Sequence, residues 1–156
     1  MANSGVTSHK ALRVLFAAAE ADPIIKVGGL GDVAGSLPKA LNTFSSHQAI
    51  PGDGLDIRLV IPFHPGIHER VKTPELVASF DIPSNGGSIA AQVYQTRIGD
   101  LPVYLVDGAP FKEEDQIYHL ETRKDGEKYI FFSLAVLELA KALNWPPDIL
   151  HANDWH

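Results

Sequence analysis

Hydrophobic positions along the chain fall into two rhythms. Residues 12–19 read Leu-Arg-Val-Leu-Phe-Ala-Ala-Ala, a nearly continuous apolar run that suits a strand buried on both faces of a parallel sheet. Pro23 ends it, since proline cannot donate to a sheet ladder and biases Asp22 away from helix. After a glycine-rich stretch at residues 26–32, Val33, Leu37 and Leu41 recur at helical spacing and Leu30 extends the stripe. Pro38 inside this stripe predicts a kink or a late helix start. Residues 42–54, rich in Asn, Ser, Pro and Gly, read as a loop, and residues 56–62 as a second strand. Strand, helix and strand in this order predict a βαβ unit.

The middle of the chain changes character. Residues 75–83, 88–99 and 102–107 read as three strands, the first pair joined through Asn85-Gly86 and the second around Gly99-Asp100. They predict an antiparallel excursion. Residues 128–143 form the clearest helix pattern, with Phe132, Val136, Leu139 and Leu143 on one stripe and Ser133, Glu138 and Lys141 elsewhere. Residues 144–147, Asn-Trp-Pro-Pro, stop it, and residues 149–151 open a last strand. The expected fold class is α/β, mostly parallel with an antiparallel insertion.

Composition narrows the function classes. The 156 residues are 45% hydrophobic, with 13 Lys and Arg against 19 Asp and Glu, so 13 − 19 gives a net charge of −6. This balance argues against a nucleic-acid surface, which needs a basic stripe. The chain has no Cys, which excludes disulfides and thiolate chemistry. No run approaches the roughly 20 apolar residues of a membrane span, and residues 1–10 lack the apolar centre of a secretory signal. Residues 1–11 read as a disordered tail and residues 12–156 as one partial domain. A soluble intracellular protein is the expectation.

Candidate chemistry sits after strands. In residues 26–32, Lys-Val-Gly-Gly-Leu-Gly-Asp, the glycines allow close backbone approach and a helix start beyond them favours an anion. Lys26 adds a positive charge. A diphosphate site and a plain strand-to-helix turn both fit these residues. Residues 29–34 match G-x-G-x-x-G/A, but nine residues, Glu20 to Gly28, separate them from the strand, so the dinucleotide fingerprint is misplaced. Nor do Asp53 and Asp56 lie after the second strand, where a ribose-binding carboxylate belongs. The chain has no P-loop motif. His151 and His156 with Asp154 make a poor zinc set, Trp155 reads as a packing residue, and His64 and His68 as ordinary surface or loop histidines.

Lys26-Val27-Gly28-Gly29-Leu30-Gly31-Asp32-Val33 resembles the K-x-G-G-L-x-D-V signature of bacterial glycogen synthases and plant starch synthases (glycosyltransferase family 5), and the final residues His-Ala-Asn-Asp-Trp-His resemble that family's H-x-N/H-D-W-H motif. The likeness runs from Leu12 to His156. It implies part of the Rossmann-like N-terminal domain of a GT-B glycosyltransferase, truncated before the second domain. It also implies glucose transfer from ADP-glucose, or UDP-glucose, to the non-reducing end of an α-1,4-glucan with retention, and no metal or other cofactor. Lys26, Gly28 and Gly29 would face the donor phosphates. Asp32 would lie in the first helical turn, as a cap or an acceptor contact. Tyr118 and Asp154 would lie by the sugar, although Ile117 and Leu120 replace the Pro and Asp usual around the family's Tyr-His step. Residues 42–55 resemble a surface-loop insertion. The family's glucose-contacting His and its second-domain Arg, Lys and Glu would lie beyond His156, so this chain alone is expected to be inactive. The alternative is a non-catalytic sugar- or anion-binding module of the same ancestry. A last strand without a covering helix predicts an exposed apolar patch and weak self-association through that edge.

Overall fold

The computed structural model describes residues 10–47, 54–112, 116–119 and 121–154. One six-stranded sheet carries the fold, built from β1 (Leu12–Ala17), β2 (Leu55–Pro62), β3 (Glu75–Ser84), β4 (Gly87–Ile98), β5 (Leu101–Gly108) and β6 (Ile149–Ala152). The strand order is β3-β4-β5-β2-β1-β6. β5, β2, β1 and β6 run parallel, whereas β3, β4 and β5 pair antiparallel. Thus β5 serves both parts: it closes the expected excursion and also pairs in parallel with β2. Ser84 pairs with Gly87 across Asn85-Gly86, and Ile98 with Leu101 across Gly99-Asp100, where Gly99 takes φ +61, a left-handed conformation open to glycine.

Among the described residues the α-helices are α1 (Gly29–His47), α2 (Ala109–Lys112) and α3 (Thr122–Ala142), with a 3-10 turn at Pro65–Ile67. Alternation along β1 divides the core. Val14 and Phe16 pack with Ile57, Leu59, Ile61, Ala34, Leu37 and Leu41 on the α1 side. Leu15 and Ala17 pack with Val60, Tyr104, Phe132, Val136 and Leu139 on the α3 side. Burial on both faces explains the near-continuous apolar run of β1.

Both helices are longer than the sequence pattern predicts. α1 starts at Gly29 and carries on past Pro38 to His47, so a late start is excluded. Ala34, Leu37 and Leu41 pack on the sheet on both sides of Pro38, and this burial outweighs the lost backbone bond. The expected loop at residues 42–54 is helical as far as His47. Two of its hydroxyls are bonded within the fold: Thr43 Oγ1 donates to the Lys39 carbonyl at 3.0 Å, and Ser45 Oγ accepts from the Leu55 amide at 2.9 Å. Residues 48–53 of that expected loop lie outside the described residues. α3 begins at Thr122, ahead of the expected Lys128, because Asp125 and Lys128 are buried there as a pair.

Candidate functional site

The carboxyl ends of β1, β2, β5 and β6 share one edge of the sheet. Along it the chain order reverses at β1, with β2 and then β5 to one side and β6 to the other. In open α/β sheets such a reversal opens a crevice where ligands bind. Residues 18–28 enter it after β1, His64 stands after β2, residues 116–119 follow β5 and α2, and Asn153 and Asp154 follow β6.

Glu20 organises the first segment. It is 1% exposed, and its carboxylate accepts from the Val27 amide and from the Gly28 amide at 3.1 and 3.2 Å. Ala21 and Ile25 exchange backbone bonds of 2.9 Å, and the Asp22 amide donates to the Gly31 carbonyl at 3.0 Å. The turn therefore lies against the start of α1. A Cβ on Gly35 would sit 2.2 Å from the Asp22 carbonyl oxygen, so glycine is required for this close approach. A Cβ on Gly29 would meet nothing within 4 Å; that side of the loop is open. Lys26 Nζ bonds Asp32 Oδ1 at 2.6 Å, and this bond, followed by the carboxylate's charge, raises the lysine's pKa.

The segment carrying Tyr118 is clamped from α3. Lys128 Nζ donates to the carbonyls of Gln116 at 3.1 Å and Ile117 at 2.5 Å, and the Tyr129 hydroxyl donates to Ile117 at 2.7 Å. Asp125 accepts from the His119 amide at 2.9 Å and pairs with Lys128 at 3.1 Å. Held this way, the half-buried Tyr118 donates its hydroxyl to Glu20 Oε1 at 3.3 Å. Burial first, then the charge of Glu20 and this bond, then Asp154, raise the phenol well above its usual range. Tyr118 is thus favoured as a neutral hydrogen-bond donor.

Asp154 is exposed and holds φ +63, a conformation uncommon for a residue with a side chain. Asn153 Nδ2 ties the same loop to the Ala17 carbonyl at 2.9 Å. His64 corrects the expectation of an ordinary surface residue: it is 1% exposed, donates from Nε2 to the Ala19 carbonyl at 3.3 Å and faces the Phe111 ring edge-on. Its pKa is pushed down to about 4, chiefly by burial and then by the charge of Lys128. His68, exposed and stacked on Phe63 at 4.0 Å, fits the expectation.

Lys26, Gly28, Gly29 and Asp32 therefore lie together where the loop enters α1, and Tyr118 joins them through Glu20. Asp154 acts electrostatically on Tyr118. Gly28 has its amide already engaged by Glu20. A lysine beside helix-start amides favours an anion, and a neutral phenol suits a sugar hydroxyl. Glu20, His64, Asp125, Lys128 and Tyr129 were not singled out by sequence patterns; the one signal was a carboxylate directly after an apolar strand. Among the described residues no three His, Asp or Glu are placed to hold a metal. His151 packs its ring 4.4 Å from Phe16, and Trp155 and His156 lie outside the described residues.

The model of the starch synthase catalytic domain matches residues 13–156. The chain belongs to the starch synthase catalytic-domain family. Within this family it is 35% identical to a glycogen synthase of Lacticaseibacillus casei (strain BL23) over 147 residues, 93% of this chain and 28% of that protein. Also over 147 residues, it is 37% identical to a glycogen synthase of Clostridium perfringens (strain 13 / Type A), 94% of this chain and 28% of that one. A solved structure of the family, the catalytic domain of starch synthase IV from Arabidopsis thaliana bound to ADP and acarbose, superposes with a TM-score of 0.68 at 25% identity. That match takes in 94% of this chain and 28% of the other. The mixed sheet with its flanking helices agrees with the Rossmann-like part of a GT-B glycosyltransferase that the motifs implied. The chain spans little more than a quarter of these relatives. Among the described residues no helix is long and apolar enough to cross a membrane.

Proposed function

We propose that residues 12–156 form part of the first Rossmann-like domain of a glycogen or starch synthase acting in the bacterial cytoplasm. The whole protein would transfer glucose from ADP-glucose, or UDP-glucose, to the non-reducing end of an α-1,4-glucan with retention. The observation that carries this reading is the gathering of Lys26, Gly28, Gly29 and Asp32 at the β1 reversal point, with Tyr118 joined to them through Glu20 and Asp154 on the loop after β6 along the same sheet edge. Lys26 and the amides opening α1 bind the donor diphosphate, Asp32 orients Lys26, and Tyr118 and Asp154 bind the sugar. The family relatives are named glycogen synthases, and the solved structure is bound to ADP and acarbose.

Charge on a departing diphosphate is stabilised by donors fixed before the reaction. Glucosyl transfer to glycogen from ADP-glucose and from UDP-glucose tests this, with the gene product extended beyond His156 measured beside the 156-residue chain. The longer protein is expected to be active, the chain alone inactive, and Lys26→Ala to slow the longer protein about 100-fold, the usual loss for one such donor. A longer protein that transfers from neither donor overturns the enzyme reading in favour of a sugar- or anion-binding module.

A further inference from the structure

Glycine-rich loops before a helix are usually credited with presenting every amide to a phosphate. Here two of those amides already hold an anion. The Val27 and Gly28 amides donate to the carboxylate of Glu20, which is 1% exposed. Gly29 and Leu30, by contrast, open α1, where amides lack intrahelical partners, and the space beside Gly29 is clear. The same Glu20 carboxylate accepts the Tyr118 hydroxyl, and Tyr118 stands on a segment that α3 fixes through Lys128, Tyr129 and Asp125.

We propose that Glu20 is a positioning residue that fills the Val27 and Gly28 amides, leaves those of Gly29 and Leu30 for the phosphate, and links the loop to Tyr118. The phosphate part of this inference rests on the functional reading above; the link between Glu20 and Tyr118 does not. Movement of the loop on phosphate binding is transmitted through one carboxylate to the tyrosine beside the sugar. The donor's two ends are thereby sensed together.

The test uses the ¹⁵N-labelled chain and its ¹H–¹⁵N correlation spectrum. Without ligand, Glu20→Gln is expected to move the amides of Val27 and Gly28 upfield and to shift Tyr118 and His119 as well. From the other end, Tyr118→Phe removes only a hydroxyl and is expected to move Val27 and Gly28. A loop-holding role alone leaves Tyr118 in place in the first variant and both amides in place in the second, and either result overturns the link. Should Glu20→Gln not fold, Tyr118→Phe decides. Inorganic pyrophosphate is then titrated into the wild-type chain. Shifts at Gly29, Leu30 and Tyr118, with the Tyr118 response lost in Glu20→Gln, are expected. Equal shifts at Val27 and Gly28 overturn the division of amides. No response anywhere overturns both the diphosphate reading and that division, while the ligand-free spectra still decide the link.

Discussion

A buried histidine that resists protonation makes folding sensitive to acid. His64 is enclosed by the β1 end, Phe111 and the α3 clamp, and its pKa of about 4 lies below the 6.5 of a free imidazole. Charged groups facing it include Lys128, which lowers the value, and Asp125, which raises it. The folded chain binds fewer protons at this position than the unfolded chain between these two values. Stability from His64 is therefore present above pH 6.5 and is lost as pH falls toward 4. At 1.36 kcal/mol per pH unit the loss between pH 7 and pH 5 is about 2 kcal/mol. Urea unfolding at both values checks it, with His64→Gln expected to flatten the difference. An equally steep dependence in the variant would place the acid sensitivity elsewhere.

The first two turns of α3 show how an element end can be built from charge. Asp125 and Lys128 are 2% and 4% exposed, and their hydrogen bonds hold the 116–119 segment rather than extend the apolar stripe. Lys128→Met leaves Asp125 buried without its counter-charge, a loss of about 3–5 kcal/mol. Adding Asp125→Asn removes the stranded charge, so the double variant is expected to regain part of that loss in a urea titration; simple additivity would show that the two do not act as a pair. The same pairing explains why α3 reads too short in the sequence: a hydrophobic pattern scores Asp125 and Lys128 as solvent-facing. At the end of α1, Thr43 and Ser45 read as loop, though their hydroxyls are bonded to Lys39 and Leu55. Strands β1, β2 and β5 were legible because burial on both faces leaves a local apolar run. In the candidate site, residues 26–32 were legible because glycines in a row mark themselves. Glu20 and His64 were not: Glu20 binds the backbone amides of Val27 and Gly28, which leave no side-chain pattern, and its link to Tyr118 and that of His64 to Ala19 span 98 and 45 residues.

At the scale of the whole molecule, two apolar surfaces are uncovered. β6 is the end strand of the sheet, and its Ile149 and Leu150 are 45% and 43% exposed. On α3, Ile130, Leu134 and Leu137 repeat at helical spacing and are also exposed. The exposure agrees with the apolar patch expected at the last strand. An edge strand offers unpaired backbone groups beside such side chains, a template for a second strand. Against this stands a net charge of −6, whose repulsion reaches about 10 Å at 0.1 M salt and only about 3 Å at 1 M. Attraction is of short range and repulsion is screened, so the chain is expected to self-associate weakly, and more strongly as salt rises. Sedimentation velocity across a concentration series at both salt levels reads this directly. Leu150→Lys places a charge on the edge and is expected to restore a monomeric boundary, whereas a wild-type boundary that stays sharply monomeric at high concentration and high salt rejects the β6 edge as an association surface.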